Sequence, residues 1–334
     1  MPADYKKIDA VVSQIEKIHG QNSVVKLGSA KRVPVSVIST GVLSVDVALG
    51  VGGFARGRIF EAFGEESSGK TTLTLQGIAQ AQKAGGAAFF IDAENALDLK
   101  YAEALGVDTK NLYVSQPDNG EQALEICDQL VQSGLFDIGI IDSVAALVPK
   151  AELEGDYGDA QMGLQARLMS QAMRKLTHAV SRTKTCLGFI NQVRDKIGVM
   201  YGSPLTTTGG KALKFYASQR IEVKKSTQIK DGDKVIGFES KIRIVKNKLS
   251  SPFSEAYPRM LFGKGYDPAD DLLTLADEHK ITEKSGVWWS YKGEHLGQGK
   301  ENACILLRSN IDLFGKILAE TRAKLFLPEE KTEK

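Results

Sequence analysis

Gly64-Glu65-Glu66-Ser67-Ser68-Gly69-Lys70-Thr71 is a full match to G-x-x-x-x-G-K-[ST], and its reading decides the fold. The glycines let the backbone curl close to a polyphosphate, so that successive N–H groups point at its oxygens. Lys70 reaches toward the β- and γ-phosphates as a point charge, and the Thr71 hydroxyl is placed to ligate Mg²⁺. Glu66, Ser67, Ser68, Gly69 and Thr72 complete the stretch that wraps the nucleotide. Upstream, Arg58–Phe63 reads as a short strand; downstream, Thr72–Gln76 reads as the first turns of a helix. The helix N-terminus is thereby aimed at the anion. The pattern predicts a nucleoside triphosphate site in an α/β domain.

The chain has 334 residues, 42% of them hydrophobic, which suggests about two domains with ample core. A net charge of +2 leaves any nucleic-acid surface to local clustering. Cys127, Cys186 and Cys304 are far apart and read as small buried residues in a reducing compartment. His19, His178, His279 and His295 form no metal-type pair. The start, Met1-Pro2-Ala3-Asp4-Tyr5-Lys6, lacks an apolar signal core, and no apolar run is long enough to span a membrane. A soluble, cytoplasmic protein is expected.

Ile8, Val11, Val12, Ile15 and Ile18 predict an amphipathic helix over 5–18, ended by Gly20. Its stripe must be covered by the chain's own core or by a neighbouring subunit. From Val35 to about Gly265, apolar runs alternate with helical patterns. Ala87–Ile91, Asp137–Ile141 and Cys186–Ile190 read as buried parallel strands, with helices at Gly120–Ser133 and Leu164–Thr183 between them. Further strands are predicted at Arg220–Lys224 and Lys241–Val245, and the texture changes after Asp267-Pro268 to short α+β elements. Gly50-Val51-Gly52-Gly53-Phe54-Ala55 fits a loose dinucleotide fingerprint but opens no helix, so it reads as a turn.

In open α/β sheets, ligands sit at the carboxyl ends of the strands. The run 138–141 ends in Asp142, which suits a Mg²⁺ held through water beside a phosphate loop. The run 87–91 ends in Asp92-Ala93-Glu94, where Glu94 suits a general base for an attacking water. The run 186–190 leads into Asn191-Gln192, and Gln192 suits a switch that bonds a γ-phosphate and loses it on hydrolysis. The segment 193–210 is long for a compact connection and rich in Gly, Thr and basic residues, so it is either functional or disordered. Its place beside Gln192 argues for a mobile binding loop whose Arg and Lys would neutralise phosphates. A second loop, 154–163, leads into a helix that carries Arg167 and Arg174 on one face.

GEESSGKTTLTLQ, FIDAENALD, IIDSVAAL, MSQAMRKL, FINQVR, TTTGGKALKFYAS, VKNK and GVWWSYKGEHLGQGK together resemble the bacterial RecA recombinases over nearly the whole chain. The resemblance implies a RecA-like P-loop ATPase core (34–267) with a mostly parallel central sheet. An N-terminal helix arm (1–33) would serve polymerisation, and a small α+β domain (268–334) would follow the core. It implies ATP and Mg²⁺ as cofactors, helical filaments on single-stranded DNA, pairing with double-stranded DNA, and strand exchange in repair. A LexA-type repressor would be a further partner.

By the same resemblance Glu94 is the catalytic glutamate, Asp142 supports Mg²⁺, and Gln192 couples nucleotide to DNA. Asp98 and Tyr101 hold adenine. Lys246 and Lys248 reach across the subunit interface to the neighbour's γ-phosphate, and Lys214 and Phe215 belong to that interface. Gly155, Gln161, Met162 and Gly163 form the first DNA loop, and Arg194, Lys196, Ile197, Gly198, Thr208, Gly209 and Gly210 the second. Arg167 and Arg174 contact the DNA backbone. Lys284 and Lys300 are candidate duplex contacts.

The chain departs from the family pattern at Asn95, where His is usual, at Leu205, where Glu is usual, and at Lys211, where Asn is usual. Losing an acid and gaining a base beside DNA predicts tighter or less salt-sensitive DNA binding, which a salt titration against a family member with the usual residues would measure. The tail lacks a long acidic run, which implies weaker restraint of duplex access. A ring helicase sharing the core would form rings instead of filaments. A small-molecule phosphotransferase would turn over ATP indifferently to DNA.

Overall fold

The computed structural model describes residues 3–21, 23–26, 35–156, 163–195 and 205–326. The chain divides into two compact units, Met1–Val35 and Ser36–Lys334. The first holds α1 (Tyr5–His19), where Asp4 caps the start by accepting from the Lys7 N–H and Gly20 ends the helix. No residue of α1 is buried; of its apolar stripe Ile8, Val11 and Ile18 are exposed and Val12 and Ile15 half-buried.

The second unit opens with β1 (Val37–Ile38), α2 (Leu43–Ala48) and β2 (Phe54–Ala55). Gly50–Gly53 is the expected turn, leading into β2 and not into a helix. Next come β3 (Ile59–Gly64), α3 (Lys70–Lys83), β4 (Ala88–Asp92), α4 (Leu99–Ala104) and β5 (Leu112–Ser115). They are followed by α5 (Gly120–Gln132), β6 (Ile138–Asp142), α6 (Lys150–Leu153), α7 (Leu164–Thr183) and β7 (Cys186–Asp195). After β8 (Leu205–Thr207) and α8 (Ala212–Tyr216), the chain forms β9 (Gln219–Asp231), β10 (Lys234–Asn247), β11 (Glu255–Ala256), β12 (Arg259–Leu261) and β13 (Gly265–Tyr266). The last elements are α9 (Pro268–Glu278), β14 (Glu283–Ser285), β15 (Trp288–Tyr291), β16 (Glu294–Gln298), α10 (Lys300–Ser309) and α11 (Ile311–Phe326).

The main sheet runs β13-β12-β10-β9-β3-β7-β6-β4-β5, parallel from β9 to β5 and antiparallel beyond. Its central parallel strands β3, β4, β6 and the first half of β7 are buried and mostly apolar, Glu61 of β3 excepted, because helices cover both faces. Successive side chains point to opposite faces. Phe60, Phe90 and Ile140 therefore meet Leu73, Leu75 and Ile78 of α3 on one side. Ile59, Phe89 and Ile141 meet Leu124 and Cys127 of α5 and Met169, Met173 and Leu176 of α7 on the other. α3 follows the central strand β3, so the connecting phosphate loop lies mid-sheet at the carboxyl ends.

Two expected strands prove longer. Arg220–Lys224 and Lys241–Val245 are parts of one hairpin, β9–β10, closed over Gly232. The distal half of β9 carries exposed Lys, Gln and Asp on both faces, so no apolar alternation marks it. The strand from Cys186 continues to Asp195 and pairs with β8, forming a ribbon whose tip, 196–204, lies outside the described residues.

From α9 onward the elements enclose Leu272, Leu273, Trp289, Tyr291, Leu296, Leu307 and Ile317, joined by Leu43 of α2. Polar anchors reinforce this contact. Asp271 accepts from the Ser44 N–H at 2.9 Å, and Asp46 takes the Ser39 hydroxyl, the Thr40 N–H and Arg322 of α11. Burial raises the Asp46 carboxyl against those donors. It pushes Asp271 up to about 6, with Ser44 pulling down and Asp46 and Asp270 pushing further up.

A carboxyl raised in the fold costs stability while ionised. The cost is full above about pH 6, shrinks as pH falls through 6, and is gone below the unfolded value near 4. Asp271→Asn is therefore expected to raise stability by up to about 3 kcal/mol at pH 8 and to leave it unchanged near pH 4, read by urea unfolding.

Candidate nucleotide and nucleic-acid site

The phosphate loop leaves β3 at Gly64, and α3 begins at Lys70 with Gly69 as its N-cap. Gly69 sits at φ +98, and a Cβ there would lie 2.7 Å from the Tyr266 hydroxyl, so only glycine fits. Ser67 also takes a left-handed conformation. Lys70 is nearly buried and folds across the loop, its Nζ donating to the Glu65 carbonyl at 2.6 Å. Burial lowers its ammonium, and Asp142, Glu94 and Glu66 oppose that shift. The Ser68 hydroxyl is buried without a partner among the described residues, a polar orphan in the phosphate loop.

Thr71 Oγ1 donates to Asp142 Oδ2 at 2.7 Å. Burial pushes Asp142 up to about 6, against the Thr71 hydrogen bond. A hydroxyl and a charge-starved carboxylate beside a phosphate loop fit Mg²⁺, which takes few protein oxygens and completes its shell from phosphates and water. Among the described residues no group of three or more His, Cys, Asp or Glu could hold a metal ion.

Glu94 stands at the carboxyl end of β4. Its Oε1 accepts from the Ser143 hydroxyl and, at 3.0 Å, from Gln192 Nε2. The expected base, the expected switch and the end of β6 are thus brought together. The turn carrying Glu94 is fixed by Asp92, which accepts from the Ala96 and Leu97 N–H groups and from Gln116 Nε2. Asn95 takes φ +55, a conformation asparagine tolerates better than most residues. Asp98 caps α4, with Oδ1 accepting from the Lys100 and Tyr101 N–H groups. The Tyr101 hydroxyl meets Thr72 Oγ1 at 2.9 Å, so the adenine candidates border the phosphate loop.

Asn191, fully buried, ties the site to the second loop. Its Nδ2 donates to Glu61 and to the Thr208 carbonyl; its Oδ1 accepts from the Gln192 N–H and the Thr208 hydroxyl. Gly209 and Gly210 then pass against Val144 and Ala166, at the entry to α7. Arg194 is exposed on the ribbon opposite Thr206. Lys196, Ile197 and Gly198, like Gln161 and Met162, lie outside the described residues. Gly155 is exposed after α6, and Gly163 starts α7 with φ +85. Arg167 and Arg174 line one depression on α7 together with Lys175, a third cation that spacing alone did not single out.

Lys246 and Lys248 are placed far from this chain's own phosphate loop. Lys246 pairs with Arg220, and Arg220 with Glu61, so Lys246 sits about three residues, or about 10 Å, below Gly64 along the strands. Its Nζ donates to the carbonyls of Lys214 (2.6 Å) and Phe215 (2.9 Å), and Lys248 Nζ donates to that of Phe215 at 3.3 Å. Burial, then Lys248 and Arg220, lower the Lys246 ammonium. Lys214 reaches the other way, to Thr206 of the ribbon, and Phe215 is 69% exposed. α8 therefore joins the second loop to both lysines. Of the candidate duplex contacts, Lys300 is committed to Asp270 and Thr274, while Lys284 lies over the Trp289 ring.

Family models of the RecA N-terminal domain and the RecA C-terminal domain match residues 6–267 and 270–326. The chain belongs to the RecA family. It is 56% identical to Protein RecA of Mycobacterium sp. (strain KMS) over 324 residues, 97% of this chain and 93% of that protein. It is likewise 56% identical to Protein RecA of Syntrophus aciditrophicus (strain SB) over 96% of this chain and 93% of the relative. Protein RecA of Streptomyces ambofaciens is 53% identical over 98% of this chain and 89% of its own length. RecA family membership supports a recombinase that binds ATP and DNA, on the RecA-like core seen here. No helix among the described residues is long and apolar enough to cross a membrane.

Proposed function

We propose that this chain is a DNA-dependent ATPase and homologous recombinase that assembles head to tail into filaments on single-stranded DNA and exchanges strands with homologous duplexes. The observation that carries the reading is the hydrogen bond from Gln192 to Glu94, because β7 bears both Gln192 and the ribbon of the second DNA loop. A γ-phosphate that draws Gln192 away from Glu94 pulls on the strand that anchors that loop. Lys70 holds the β- and γ-phosphates, Asp98 and Tyr101 hold the base, and Glu94 takes the proton of the attacking water. Mg²⁺, bound through Thr71 and, by way of water, Asp142, supplies charge neutralisation on the phosphates.

The placement of Lys246 and Lys248 supports their donation to a neighbour's site, where cations in trans make hydrolysis depend on assembly. The exposed Ile8, Val11 and Ile18 of α1 support a polymerisation arm, since a head-to-tail contact that does not close makes a filament. The loop residues and the Arg167–Arg174 face give sequence-independent phosphate contacts. A cytoplasmic role in the SOS response, with stimulation of LexA-type repressor self-cleavage, rests on the family resemblance.

Strand exchange between circular single-stranded DNA and a linear duplex, with ATP and Mg²⁺, tests the proposal. Joint molecules with homologous but not heterologous duplex are expected. No joint molecules under conditions where the protein coats single strands would overturn it.

A further inference from the structure

We propose that Ser143 is a positioning residue: it holds Glu94 by one carboxylate oxygen and leaves the other to take the proton of the attacking water. The inference rests on Glu94 being the base. Ser143 follows Asp142 at the end of β6 and is 1% exposed, so its hydroxyl must find a partner inside the protein. That partner is Glu94 Oε1, the same oxygen that accepts from Gln192 Nε2. Among the described residues no side chain donates to Oε2. Both donors therefore load one oxygen and turn the lone pairs of the other outward. The peptide link agrees, since the N–H groups of Ala93 and Glu94 both donate to the Asp142 carbonyl.

The two donors differ in permanence. Gln192 sits at the partly exposed start of a ribbon and is the group that leaves for a γ-phosphate. Ser143 is locked in the core and stays. When Gln192 departs, Ser143 alone keeps Glu94 aligned at the moment of attack. In that step the water oxygen bonds to the γ-phosphorus, and its proton passes to Glu94 Oε2. The bond from the γ-phosphorus to the bridging oxygen breaks, its electron pair leaving with ADP.

The test is DNA-stimulated ATP turnover by Ser143→Ala, alone and in a Glu94→Gln background, with affinity for a non-hydrolysable ATP analogue measured alongside. The expected result is a kcat lower by roughly 10- to 100-fold, as for a misplaced catalytic group, with KM and analogue affinity unchanged. In the Glu94→Gln background, single-turnover rates should show no further loss. Ser143→Thr, which keeps the hydroxyl, should recover most of the rate, and Ser143→Cys, close in volume but a weak donor, should not. Parental kcat in both the Ala and Cys variants, or an equal loss in both backgrounds, would overturn the proposal. Undiminished turnover by Glu94→Gln alone would instead overturn the assignment of the base.

Discussion

Glu94→Gln is expected to cut DNA-stimulated ATP turnover by about 10²- to 10⁴-fold while leaving nucleotide and DNA binding in place. The amide keeps the size of the carboxylate and can still accept from Ser143 and Gln192 through its carbonyl oxygen. What it loses is the capacity to take a proton. Binding should survive because Lys70, Thr71 and the loop amides are untouched, and the turn is held by Asp92, not by Glu94. Steady-state turnover set beside the affinity for a non-hydrolysable ATP analogue separates the two. A turnover within a few fold of the parent would remove Glu94 from the chemistry.

The second large effect concerns residues at the wrong end of the sheet. Lys248→Ala should lower turnover by about 10²- to 10³-fold, as loss of a charge-stabilising donor does. Mixed with Glu94→Gln, it should regain activity that neither variant has. In a head-to-tail filament of equal, randomly placed subunits, about one quarter of interfaces pair an intact Glu94 with an intact Lys248. The mixture should therefore approach about a quarter of parental turnover once assembled on DNA. If the lysine acted on its own chain's nucleotide, mixing would restore nothing.

The parts of the fold that the sequence made legible are those buried on both faces. β4, β6 and the first half of β7 are continuous apolar runs, and their polar ends name Asp142, Glu94 and Gln192 because parallel sheets bind ligands there. The distal half of β9 escaped because its residues there are almost all polar and exposed and leave no period to read. The supporting shell escaped for another reason. Asn191 bonds Glu61 and Thr208, Ser143 bonds Glu94, and Asp92 bonds Gln116; such pairs are joined only by folding and carry no spacing signature. Lys246 and Lys248 were visible through VKNK alone, but their tie to the α8 carbonyls, and through Lys214 to the ribbon, exists only in three dimensions. Lys300 shows the reverse, a basic residue that reads as free in sequence and is ion-paired to a buried aspartate in the fold.

One measurement bears most directly on the coupling of nucleotide to DNA: ATP hydrolysis with and without single-stranded DNA, with Glu94→Gln as control. Strong stimulation that disappears in the variant is the predicted result, because in the proposed function the site is completed only when subunits assemble on the strand. Equal turnover with and without DNA, lost in Glu94→Gln, would keep the nucleotide site and contradict its dependence on DNA.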